Sequence, residues 1–180
     1  MKGVRAAVRY AKAIRQLAQE RNLLDVIVAD IKLIHNTIIE NRELGLMLQS
    51  PLVSGSKKKG VLNAIFGSNV SELTTSFIQQ VVEHKRESIL QVICEEFINQ
   101  YNVLKNIARV TVTTTQPLTQ ENKEEIIKKI KSDYQLSEVQ LEEKIDKSLI
   151  GGMVLRMGDK QLDASIRRQL SDIKQELVQA

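Results

Sequence analysis

Midway along this chain the apolar residues change their spacing, and that change limits the possible folds more than any other feature. From Val4 to Lys105 they recur at three- and four-residue steps, broken only at turn-forming residues, which is the period of amphipathic helices. After Asn106, Val110 and Val112 alternate with Thr111, Thr113 and Thr115. This is a β-branched run whose stiff side chains disfavour helix and suit a half-buried strand. A pattern of one period does not settle into the other structure. The chain therefore reads as two domains: a six-helix bundle over residues 1–105, then a small α+β domain over 106–180 with the order β-α-β-β-α. The fold class is mainly α.

Within the bundle, Val4, Ala7, Ala11, Ile14 and Ala18 form one helical stripe, ending near Arg21 and Asn22. Asn22 is the expected cap of a second helix, with Asp25 in its first turn and Leu23, Ile27, Ile31, Ile34 and Ile38 along one face to about Asn41. A short helix from Glu43 to Leu48 stops at Pro51. Residues 53–59 are expected to form a loop, from which a fourth helix runs through Leu62 and Phe66 to Gly67. Ser71 opens a fifth helix through Phe77, Ile78, Val81 and Val82, and a sixth spans Glu87 to Lys105. In the tail, Pro117 ends the first strand and Thr119 caps a helix to Tyr134 with Ile126, Ile127 and Ile130 inward. Extended segments follow at Val139 to Asp146 and Met153 to Met157, then a helix from Asp163 to Leu177.

Composition decides which chemistries this fold can host. Three Tyr, three Phe and no Trp leave few platforms for stacking sugars or unpaired bases. One Cys and two His cannot build a cysteine-histidine zinc cage or an internal disulfide. Cys94 stands at helical spacing from Leu90, Phe97 and Tyr101, the position of a packed and inert thiol. His35 and His84 read as helix-face and helix-end residues, and adjacent pairs such as Glu95 with Glu96 point in different directions. No metal, cofactor or acid-base pair is implied. The frame from Gly55 to Gly60 lacks the following Lys and Ser or Thr of a phosphate loop, so Lys57, Lys58 and Lys59 read as a solvated helix start. Every apolar run is too short to span a bilayer.

Charge is uneven. Residues 1–105 carry 14 Lys and Arg against 10 acids, whereas the tail carries 12 of each, so the net +4 belongs to the bundle. Lys2, Arg5, Arg9, Lys12 and Arg15 all precede Glu20, the first acid. An acid-free start can mimic a transit peptide, but this one lacks Ser and continues a helical stripe, so it reads as a structural helix. A basic helical nucleic-acid binder using Lys2, Arg5, Arg9, Lys12 and Lys57 to Lys59 is the alternative function. In the same helix, Tyr10 stands among Ala11, Ala13 and Ile14. Small side chains let another helix come close, either a partner's or one inside the bundle, and both readings stand.

The stretch from Asp146 to Asp159 reads DKSLIGGMVLRMGD, with Asp163-Ala164-Ser165 following. It resembles a signature of the delta-subunit family of bacterial F-type ATP synthase, relatives of the mitochondrial oligomycin-sensitivity-conferring protein: an acid (Asp146), an aliphatic pair, two small residues (Gly151, Gly152), an alternating strand containing Arg156, a Gly158-Asp159 turn, and a D-x-S start at Asp163 and Ser165. The first-helix stretch RYAKAI resembles the family's other recurrent element, and the likeness runs over nearly the whole chain. The resemblance implies a stator subunit without catalytic residues, tying the catalytic head to the peripheral stalk on the cytoplasmic face of the bacterial membrane. It implies that a groove between the first and fifth helices receives the N-terminal helix of an alpha subunit. Tyr10, Ala11, Ala13 and Ile14 match groove positions, and Phe77, Ile78 and Val81 join them as the apolar face of the fifth helix. The tail would hold the C-terminal end of the b subunits. Asp146, Gly151, Gly152, Arg156, Gly158, Asp159, Asp163 and Ser165 would be structural.

Overall fold

Ala7, Ala11, Ile14 and Ala18 fall on one side of the first helix, α1 (Lys2–Glu20), and all four are buried. That stripe makes α1 a core element. The structure is a computed structural model describing residues 2–179, and it divides into two compact units, Met1–Tyr101 and Asn102–Ala180.

The first unit contains α1, α2 (Leu24–Glu40), α3 (Arg42–Gln49), α4 (Gly55–Phe66), α5 (Glu72–Glu83), a 3-10 turn at Glu87–Ile89 and most of α6 (Leu90–Leu104). Its core gathers the alanine stripe of α1, Ile27, Ile31, Ile34 and Ile38 of α2, Leu62 and Phe66 of α4, Ile78 and Val81 of α5, and Leu90, Ile93 and Phe97 of α6. One buried acid ties α2 to α5. Asp30 accepts hydrogen bonds from the Ser71 N–H and the Thr74 hydroxyl, both at 2.8 Å. Its charge lies where the amino end of α5 presents unpaired N–H groups, and the Ser71 hydroxyl accepts from the Thr74 N–H as cap.

Three details differ from the sequence expectations. Asn22 does not cap α2. It takes a left-handed conformation (φ 55°) and ends α1, with Leu23 N–H returning to the Ala18 carbonyl at 2.9 Å and Asn22 N–H to that of Gln19 at 3.1 Å. Leu23, expected inward, is 36% exposed. Lys85 ends α5 in the same way. Residues 55–59 are also helix, not loop: Ser54 accepts from the Lys57 N–H and starts α4 at Gly55. This places Lys58 in the first helical turn, buried, with its ammonium 2.8 Å from both the Leu48 carbonyl at the end of α3 and the Glu87 carboxylate.

The second unit is a four-stranded sheet with two helices: β1 (Ile107–Thr114), α7 (Gln120–Tyr134), β2 (Glu138–Ile145), β3 (Gly152–Met157), β4 (Lys160–Ser165) and α8 (Ile166–Gln179). Strand order is β2-β1-β3-β4, with β1 and β2 parallel and the other pairs antiparallel. A parallel pair needs a crossover, and α7 supplies it. Val110, Val112 and Val139 pack with Ile130 of α7, and Ile126, Ile127, Leu141, Met153, Leu155 and Met157 surround them. Thr119 caps α7 by accepting from the Asn122 N–H. The α+β expectation holds, with one strand more than expected. The helix expected from Asp163 begins instead at Ile166: residues 160–165 pair with β3 as β4, so Asp163 lies in a strand.

Candidate partner-binding grooves

The ring of Tyr10 on α1 meets the ring of Phe77 on α5 edge to face, with centroids 6.4 Å apart and planes at 67°. On its other side it lies 6.3 Å from the ring of His84, the C-cap of α5, just before the left-handed Lys85. Tyr10 and Phe77 are only partly buried, packed on the core from outside. Ala13 and Leu17 continue the same side of α1 at helical steps and are exposed, Leu17 by 43%. On α5, Leu73 lies one turn before Phe77 and is half-buried. Together these residues border a shallow apolar trough along α1 and α5.

The first-helix and fifth-helix residues singled out from sequence divide between two jobs. Tyr10, Ala13 and Phe77 reach the surface. Ala11 and Val81 are fully buried, Ile14 is 1% exposed and Ile78 is 5% exposed. These four lie in the core beneath the trough, on the arc of each helix that faces the bundle centre. Sequence reasoning missed Leu17 and His84. Leu17 was findable as the next helical step after Ala13, whereas nothing in sequence brings His84 to Tyr10.

The second unit has its own opening. Between α7 and the outer half of the sheet lies a cavity of about 460 Å³, walled by Tyr134, Ile130, Met153, Leu155, Met157 and Leu162. The α7 stripe covers β1 and β2 but leaves β3 and β4 partly open, and Leu162 is 62% exposed. Lys129, Asp133 and Lys160 stand at its rim, with the Lys160 ammonium 5.4 Å from the Tyr134 ring centre. This site was not legible while β4 was unassigned.

The eight signature residues gather at the two ends of β3. Asp146 donates its N–H to the Thr114 carbonyl at 2.8 Å and accepts the Ser148 N–H on its carboxylate at 2.9 Å. The bond from Ser148 holds its carboxyl below the usual range. Gly152 has φ +77°, and a Cβ there would stand 2.3 Å from the Ala164 carbonyl oxygen, so only glycine fits. Gly151 accepts the Ile166 N–H at 3.0 Å. Gly158 and Asp159 form the β3–β4 turn, with Gly158 at φ +57°, and Arg156 is exposed on β3 opposite Gln161. Asp163 accepts the Ser165 N–H at 3.0 Å. Its carboxyl is held low first by the Ser165 side chain, then by that N–H. Ser165 in turn caps α8 by accepting from the Arg168 N–H at 3.2 Å.

No group of three His, Cys, Asp or Glu side chains is placed to hold a metal among the described residues. Cys94 is fully buried, and burial pushes its thiol up to about 12. His35 faces Glu95 at 3.5 Å across α2 and α6. No helix among the described residues is long and apolar enough to cross a membrane.

Comparison with known proteins agrees with this architecture. The family model described as ATP synthase delta (OSCP) subunit matches residues 6–177. A protein of Christiangramia forsetii named ATP synthase subunit delta is 39% identical over 98% of this chain and 95% of its own length. One of the same name from Cytophaga hutchinsonii is 38% identical over 97% and 94%. Among solved structures, a chain of the Toxoplasma gondii mitochondrial ATP synthase hexamer superposes with a TM-score of 0.75 over 96% of this chain and 97% of that one, at 24% identity, and so shares the fold.

Proposed function

This chain belongs to the ATP synthase delta (OSCP) subunit family, and from that premise we propose how it works. It is a stator subunit that links the catalytic head of the synthase to the peripheral stalk. The helical unit holds the N-terminal helix of an alpha subunit, the tail unit holds the C-terminal end of a b subunit, and neither performs chemistry of its own. On this reading it belongs to the complex as a peripheral subunit on the cytoplasmic face of the membrane. The family leaves the nucleic-acid alternative without support.

The observation that supports this reading is the pair of half-open apolar troughs, one on each unit. A joint that resists rotor torque needs slow release and no reactivity, and apolar burial supplies both. A helix burying about 400 Å² of apolar surface gains roughly 10 kcal/mol gross at about 25 cal/mol per Å², before the entropy of association is subtracted. Holding two partners on one chain adds avidity through linkage.

The test is calorimetric titration of the purified chain with a synthetic alpha N-terminal helix and, separately, with a b C-terminal segment. Tyr10→Asp puts a charge against Phe77 in the dry part of the first trough. It should abolish alpha-helix binding while leaving helix content and b binding intact. Unchanged affinity for the alpha helix would refute the assignment of that groove.

A further inference from the structure

The cavity of the second unit follows from how one helix covers a four-stranded sheet. Ile130 of α7 packs on Val110, Val112 and Val139, over β1 and β2. On the same face β3 carries Met153, Leu155 and Met157, and the register sets Leu162 of β4 beside Leu155 and Lys160 beside Met157. The three β3 residues are only half-buried and Leu162 is exposed, which leaves the opening of about 460 Å³. Apolar cavities of about 300–1,000 Å³ with a few polar groups are the usual size of small-molecule sites. An α-helix, roughly 10–12 Å across with its side chains, can lie over such a mouth but cannot enter it.

Walls and mouth differ in kind. Inside, Met153 and Met157 present unbranched, adaptable thioether chains that fit a flexible occupant. Tyr134 is the one aromatic ring among the described lining residues, and its face carries the Lys160 ammonium at 5.4 Å, so a flat ring finds little to stack on. At the mouth, Lys129 and Asp133 stand one turn apart on α7, with Lys160 across from them on β4. All three are exposed, and no ion pair among the described residues engages them. Two cations against one acid leave the mouth net positive, where an apolar tail enters.

We propose that this cavity binds a single-chain anionic amphiphile of the medium-chain fatty acid class, with its aliphatic tail between α7 and the β3–β4 hairpin and its carboxylate at Lys129 and Lys160. The inference goes beyond the reading above and needs no partner chain. A bare phosphate makes no use of the apolar walls, and a cationic amphiphile meets two like charges at the mouth.

The full chain with isotope-labelled methionine methyl groups tests this by nuclear magnetic resonance. Met153 and Met157 line the cavity, whereas Met47 packs in the helical unit and serves as an internal control. Octanoate and decanoate, each below the concentration at which it self-associates, should shift the Met153 and Met157 signals and leave Met47 in place. By calorimetry decanoate should bind about fifteenfold more tightly than octanoate, because each of its two further buried methylenes contributes about fourfold. Decanol, with the same tail, should bind roughly fivefold more weakly than decanoate at low salt, and decyltrimethylammonium more weakly still. The gap between alcohol and carboxylate should close at about 0.5 M salt. The K129Q/K160Q variant, altered only at exposed positions, should keep its circular dichroism and its dependence on tail length while losing its preference for the carboxylate. Equal binding of decanoate and decanol by the unaltered chain at low salt would overturn the anionic head. Equal binding of octanoate and decanoate, a Met47 shift as large as those of Met153 and Met157, or no binding of any of the four would overturn the site.

Discussion

Lys58 lies between an exposed Lys57 and a half-exposed Lys59, yet it is only 3% exposed, anchored on the Leu48 carbonyl and the Glu87 carboxylate. A buried charge stripped of its partner costs far more than the pair contributes when intact. Lys58→Ala should therefore destabilise the helical unit by about 2–4 kcal/mol in urea titrations, whereas Lys58→Met combined with Glu87→Leu should recover most of that loss. The pair also sets a pH dependence. Burial alone would raise the Glu87 carboxyl, but the hydrogen bond and charge of Lys58, together with its own backbone and Lys85, bring it below its usual value. A carboxyl depressed by folding adds stability that is complete above its unfolded pKa and disappears as pH falls through the folded one. Glu87→Gln should accordingly flatten the fall in urea midpoint between about pH 5 and pH 3. An unchanged acid limb in that variant would show that the pair is not its source.

Helix and strand boundaries depended on local chemistry that sequence reveals unevenly. Ser71 and Thr119 were legible as caps because a hydroxyl before an apolar stripe has one efficient use, accepting an unpaired N–H. Asn22 was misread because asparagine serves equally at a cap and in a left-handed helix end, and only the bond from Leu23 back to Ala18 selects the second role. β4 was hidden for another reason. Lys160 to Ser165 holds only two apolar residues, Leu162 and Ala164, and becomes a strand by pairing with β3, not by its own propensity. Glycines divide in the same way between local and tertiary control. A Cβ at Gly60, inside α4, would meet nothing within 4 Å, so Gly60→Ala should raise stability by about 0.5–1 kcal/mol. Gly152→Ala should lower it by at least about 2 kcal/mol, since its positive φ and the Ala164 carbonyl both exclude a side chain. Thermal melts of the two variants, moving in opposite directions, would check the contrast.

At the scale of the molecule, two compact units with separate cores, Met1–Tyr101 and Asn102–Ala180, should unfold in two steps. Lys58→Ala should move only one transition in a denaturant series and Gly152→Ala only the other. A single transition shifted by both would mean that the units fold as one cooperative body. The sequence by itself determined the fold class, the signature and the identity of most core residues, because hydrophobic period is a local property and burial follows from it. It also placed Tyr10 and Phe77 on helices without saying that they touch. Only the tertiary structure decided which apolar residues stay partly in water. That is why Ala11, Ile14, Ile78 and Val81 turned out to be core while Tyr10, Ala13 and Phe77 line a trough. Periodicity tells which side of a helix is apolar; how far that side is covered depends on how closely its neighbours approach, and the approach is settled by packing across the whole bundle.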